Sequence, residues 1–88
     1  MWRNAHLLRT YGITIERFEE MLEAQAGVCA LCGVDEPGGR GDWHVDHDHV
    51  TGEVRALLCM KCNKALGLFN DDPDLLLAAA AYLMTGGE

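Results

Sequence analysis

Apolar side chains recur at helical steps in residues 14–27. Ile15, Phe18, Leu22 and Ala26 form one stripe, and Glu16, Glu19, Glu20 and Glu23 make up a solvated face. Thr14 precedes the stripe as an N-cap, Glu16 sits in the first turn where the helix dipole favours an acid, and Gly27 marks the stop. A shorter helical pattern covers residues 3–10 and ends before Gly12. DEPGGRGD, residues 35–42, is loop by composition. Two short strands follow, 43–49 and 54–58, with Thr51-Gly52 turning the chain between them. A short helical pattern then begins near Asn63. Asp72-Pro73 is a strong helix start, an N-cap followed by proline at the first helical position, and the last helix runs over 73–84 to Gly86-Gly87. From Leu75 to Met84 that helix is apolar on every side. Such a helix is either a subunit interface or an Ala-rich helix whose small side chains tolerate water.

The pattern predicts a small α+β fold, read as one domain over residues 1–88. N-terminal helices span 3–26, a hairpin-and-helix core about 27–70, and a C-terminal helix 73–84. Eighty-eight residues bury too little apolar surface to be comfortable unaided, so a metal, disulfides or oligomerisation is expected. The start, MWRNAHLLRTYG, carries no secretory pattern, and the ten apolar residues from Leu75 to Met84 are too few to span a bilayer. A cytoplasmic, non-membrane setting follows as the expectation, and there paired cysteines favour metal over disulfide. The formal charge of −7 argues against a nucleic-acid partner for the chain as a whole. The acids are segregated, however, and the central stretch carries Arg40, Arg55, Lys61 and Lys64, so the local field there differs from the total.

Cys29-Ala-Leu-Cys32 and Cys59-Met-Lys-Cys62 are two C-x-x-C knuckles separated by 26 residues. A two-residue gap lets both thiolates of a pair face one point, and two pairs complete the tetrahedral shell that zinc accepts. The closed shell leaves no open position, so the expected zinc is structural, contributing on the order of 10–16 kcal/mol of apparent binding free energy. Disulfides or C-x-x-C redox chemistry are the alternative, but redox sites sit beside a βαβ pattern that this chain lacks.

Three of the four histidines fall within His44–His49, interleaved with Asp46 and Asp48. Tying the second knuckle to the body folds the hairpin back, so that the 46–49 strand meets the helix near Asn63. The cluster becomes Asp46, His47, His49 and Asn63, with Arg55 and Lys64 close by.

The run DHDH (46–49), then TGEVRALLCMKCN (51–63), resembles the phage recombination endonuclease VII family of HNH, or ββα-metal (His-Me finger), nucleases. The resemblance covers roughly residues 13–70, with YGIT at its start and the first knuckle included. It implies that Asp46 and Asn63 ligate one catalytic Mg²⁺ or Mn²⁺ and that His47 is the general base toward the attacking water. It implies further that His49 contacts the scissile phosphate or completes the site, and that Arg55 stands where the family carries a basic residue able to hold a phosphate. The products would be a 5′-phosphate and a 3′-hydroxyl. The family's known substrates are branched DNA, mismatches and loops. Its best-known members carry a longer C-terminal extension, so within these residues phosphodiester cleavage is expected more firmly than junction resolution.

The chemistry of the residues agrees. Hard divalent ions prefer the oxygen donors that Asp46 and Asn63 supply, histidine titrates near neutrality, and helix starts attract phosphate. Each residue also has a plainer role. His44 is read as structural or solvent-facing, Asp48 as structural or an orienter of His47, Lys61 as solvated, and Asn63 as a simple helix cap. Trp2, Arg3, His6 and Arg9 form either a DNA-contacting arm or a packed helix. The leading expectation is a zinc-stabilised, metal-dependent DNA endonuclease, with a homodimer where two strands are cut. The alternative is a non-catalytic zinc module that binds nucleic acid or protein.

Overall fold

A computed structural model describes residues 12–39 and 41–86. The expected helix over 3–10, with Trp2, Arg3, His6 and Arg9, and the loop residue Arg40 lie outside the described residues. The elements are α1 (Ile15–Ala24), β1 (His44–His47), β2 (Val54–Leu58), α2 (Met60–Leu68) and α3 (Pro73–Thr85). Among the described residues this is an α+β arrangement of three helices and one two-stranded antiparallel sheet.

The cap of α1 is the one its sequence predicts, since Thr14 Oγ1 accepts from the Arg17 amide at 3.1 Å. Of the apolar stripe Phe18 is buried and Ile15 and Leu22 pack at its edge, while Met21, outside the predicted stripe, is buried beside them. The helix stops at Gln25, before Ala26 and Gly27, both in left-handed backbone; Ala26 is exposed rather than part of the stripe.

β1 and β2 pair with His44 opposite Leu58, Val45 opposite Leu57 and Asp46 opposite Ala56. His47 then stands opposite Val54, so the register slips by one and Arg55 is the residue passed over, a β-bulge. Strand alternation puts His44 and Asp46 on one face and buried Val45 on the other. β2 has the bounds the sequence implies, whereas β1 is shorter because Asp48 begins the turn. Its carboxylate accepts from the amides of Val50 (2.8 Å) and Thr51 (3.0 Å), and its own amide donates to Glu53 O.

The helix after the second knuckle starts at Met60, not near Asn63. Cys59 is its N-cap, and its Sγ accepts from the Cys62 amide, while the Asn63 amide donates to Cys59 O at 3.0 Å. Asn63 is therefore a residue of the first helical turn and not the cap. The loop before β1 closes over this turn. The Met60 amide donates to Pro37 O, and a Cβ at Gly39 (φ +65) would stand 2.5 Å from Met60 Sδ.

The core consists of Phe18, Met21, Cys29, Trp43, Val45, Leu57, Leu58, Cys59 and Cys62. It draws on α1, both strands, the first knuckle and α2. α3 contributes no buried residue, and Leu77, Leu83 and Met84 on it are 67%, 77% and 87% exposed.

Candidate active site

The four cysteines converge. The thiols of Cys29, Cys32, Cys59 and Cys62 all lie within 4.8 Å of one another, three of the residues buried and Cys32 exposed. Four sulfurs placed tetrahedrally at about 2.3 Å from an ion are spaced by about 3.8 Å. Cys32 Sγ and Cys59 Sγ stand 3.7 Å apart, the spacing of such a shell rather than of a disulfide. The backbone prepares the sulfurs for negative charge. The amides of Leu31 and Cys59 both point at Cys29 Sγ at 3.4 Å. Burial raises the Cys29 thiol pKa, but N–H groups of Cys32, Cys59 and Leu31 outweigh it and bring the value down to about 6. Burial pushes the Cys62 thiol up to about 12, with hydrogen bonds from the neighbouring thiols adding to the rise. Four such thiols cannot all ionise against one another, and a divalent cation removes that conflict. The cysteines are positioned to bind zinc and to fix α2 to the rest of the fold.

α2 packs against both strands. The Asn63 amide nitrogen faces His44 Nδ1 at 3.4 Å, which leaves the amide oxygen outside that contact. His44 shares its strand face with Asp46, so Asn63 and Asp46 belong to the same side of the sheet. No hydrogen bond joins the two among the described residues. Asp46 is 8% exposed and is clasped by Arg55: Nε donates to Oδ2 at 2.6 Å and Nη2 to Oδ1 at 3.0 Å. The same Nη2 reaches Asp71, at 3.2 Å from Oδ1 and 2.9 Å from Oδ2. The hydrogen bonds of Asp46, then of Asp71, hold the guanidinium charged more firmly than usual. His47 is half-buried at the end of β1, beside the bulge. His49 is exposed in the turn and lines a shallow pocket of about 210 Å³ with Gly67, Asn70 and Asp71.

The histidine strand, Arg55 and the first turn of α2 thus lie on neighbouring elements. His44, read as structural or solvent-facing, is half-buried and meets Asn63, and Asp71, which carried no reading, meets Arg55. The signal for His44 was its two-residue spacing from Asp46. For Asp71 there was none, because it reaches Arg55 only through the turn between α2 and α3. Asp48, read as structural or as an orienter of His47, has the structural role, accepting from the turn amides. The Asp46 carboxylate and the Asn63 amide are oxygen donors of the kind a hard cation takes; in this structure Arg55 holds both oxygens of the first, and the second meets His44 through its nitrogen.

Comparison with known proteins follows the same residues. The chain is 46% identical over 78 residues to the Gene 59 protein of Mycobacterium phage D29, covering 88% of this chain and 47% of that one. It is 42% identical over 79 residues to the Gene 59 protein of Mycobacterium phage L5, covering 89% and 48%. The chain therefore spans about half the length of the curated relatives it matches. No solved structure matches it. The family model described as recombination endonuclease VII matches residues 4–85. The chain belongs to the recombination endonuclease VII family.

Proposed function

We propose that this chain is a metal-dependent DNA endonuclease whose β1-β2-α2 unit is the ββα-metal core. The observation that carries the reading is the approach of Asn63, from the first turn of α2, to the strand face that bears Asp46. A four-cysteine zinc shell behind that turn gives the approach its rigidity. Asp46 and Asn63 would hold Mg²⁺ or Mn²⁺, which when bound supplies charge neutralisation at the scissile phosphate and at the leaving oxygen. His47 takes the proton of the attacking water. His49, in the adjoining turn, and the cationic Arg55 bind phosphate oxygens on either side of that proton transfer. The zinc takes no part in the reaction, because four thiolates leave it no open position.

DNA is the substrate class, and the family supports it. Non-specific affinity is modest and strongly salt-dependent for a chain with a formal charge of −7. Cutting both strands requires two such sites. A homodimer supplies them, and the exposed apolar surface of α3 is where a second copy is best accommodated.

His47→Ala tests the reading. Supercoiled plasmid, linear duplex and four-way-junction DNA are incubated with Mg²⁺, Mn²⁺ or chelator. The expected result is cation-dependent cleavage by the wild type and a loss of at least about a hundredfold in the variant, with zinc content and melting temperature unchanged. Equal cleavage by both proteins overturns His47 as the general base, and no cleavage by the wild type on any of these substrates contradicts the nuclease reading and leaves a zinc-stabilised binding module. Sedimentation as a monomer at micromolar concentration removes the dimer alone.

A further inference from the structure

Arg55 occupies an unusual position. As the bulge residue it has no cross-strand partner, and its side chain is free to turn toward Asp46. It covers both carboxylate oxygens that a cation at Asp46 would need. A guanidinium and a divalent cation repel each other across a shared carboxylate, so cation binding at Asp46 loosens the hold of Arg55 on it. The second carboxylate is already in place. Asp71 lies within 3.2 Å of Arg55 Nη2 through each of its oxygens. Its position is fixed from three directions. Asn70 and Asp71 are both in left-handed backbone (φ 56 each), the Asp71 amide donates to Leu66 O at 2.8 Å, and the next residue, Asp72, caps α3. Asn and Asp are the non-glycine residues that adopt this conformation most readily, so the turn that aims Asp71 is one its sequence supports.

We propose that Asp71 is a positioning residue that receives the Arg55 guanidinium when a divalent cation takes Asp46. The exchange leaves no charge unpaired. Arg55 slides from two carboxylates onto one, and the cation replaces it on the other. Asp71 also lines the pocket that holds His49, so the displaced guanidinium stays at the edge of the site, within reach of a phosphate of the bound strand. The proposal rests on the reading of Asp46 as a cation ligand, and its test separates the two.

The probe is Mn²⁺, titrated into zinc-loaded protein and followed by electron paramagnetic resonance of the free ion at fixed ionic strength. The proteins are wild type, D46N, D71N, D71E, R55M and D71N/R55M. Asn is well tolerated in left-handed backbone, so D71N keeps the turn while removing the charge. D46N is expected to lose the site. D71N raises the Mn²⁺ dissociation constant about fivefold, the scale of a lost half-exposed ion pair. D71E, which keeps a carboxylate, recovers part of the loss. R55M binds Mn²⁺ more tightly than wild type, and in that background D71N changes affinity less than about twofold, because Asp71 acts through Arg55. Unchanged affinity in D71N, or an equal loss with and without Arg55, overturns the positioning role while leaving the cation reading intact. Wild-type Mn²⁺ binding by D46N overturns both.

Discussion

Gln25 does with one side chain what a third strand would do with its backbone. Its Oε1 accepts from the Leu57 amide at 2.9 Å, and its Nε2 donates to Leu57 O at 3.0 Å and to Val28 O at 2.9 Å. Leu57 is fully buried, so its amide has no water to replace Gln25, whereas its carbonyl also accepts from the Ala30 amide at 3.2 Å. Gln25→Ala should therefore cost about 1–3 kcal/mol in urea unfolding, with the denaturant slope unchanged; a change below about 0.5 kcal/mol would show that the edge of β2 is satisfied in another way. This contact was not legible in the sequence, where Gln25 is one more polar residue at a helix end. The arginine clasp on Asp46 was hidden for a related reason. Arg55 reads as a basic residue near a metal site, and only the register slip between Asp46 and His47 swings it onto the carboxylate. By contrast the Cys pairs and the oxygen and imidazole donors of 46–49 announce themselves, because their chemistry does not depend on the surrounding fold.

At the scale of elements, what could be read was what is encoded locally. Thr14 and Asp72 cap α1 and α3 as their sequences predict, with Asp72 Oδ1 accepting from the amides of Asp74 (3.0 Å) and Leu75 (3.4 Å) and Pro73 following at the first position. The start of α2 was misplaced by three residues, because a cysteine is a poor N-cap by propensity and becomes one only where the knuckle turns its sulfur back onto the Cys62 amide. The bulge left no trace either, since no glycine marks it. α3 buries nothing, so its cap is its main local support. Asp72→Ala should weaken that helix by about 0.5–2 kcal/mol. Hydrogen exchange at the amides of Leu75 and Leu76 reads the change directly: faster there, and unaltered in the sheet. Equal acceleration in β1 and β2 would mean that α3 and the sheet open as one unit.

At the scale of the molecule, three of the nine core residues among the described residues are cysteines of the metal cluster. The apolar interior and the metal site are one structure, and neither is large enough alone. A zinc shell worth on the order of 10–16 kcal/mol exceeds or matches the 5–15 kcal/mol of an ordinary domain. Chelation should abolish the near-ultraviolet circular dichroism of Trp43, and re-addition of zinc should restore it. A chelated protein with an unchanged spectrum and melting temperature would contradict that dependence. Acid acts in the same direction. The thiols must be deprotonated to bind, and Cys29, held down to about 6, is a thiolate above that pH and a thiol below it. Zinc affinity should fall with falling pH and fall more steeply below about 6, where one more proton must be displaced. Measured zinc affinity that is flat from pH 7.5 to 5 would sink this assignment. If the zinc shell holds Asn63 where it shares a second, harder cation with Asp46, equilibrium dialysis against Mn²⁺ with elemental analysis reads the consequence. The wild type should carry one zinc and one Mn²⁺, and Asn63→Ala should keep the zinc and lose the Mn²⁺. An Asn63→Ala protein that retains zinc and binds Mn²⁺ as the wild type does would contradict it.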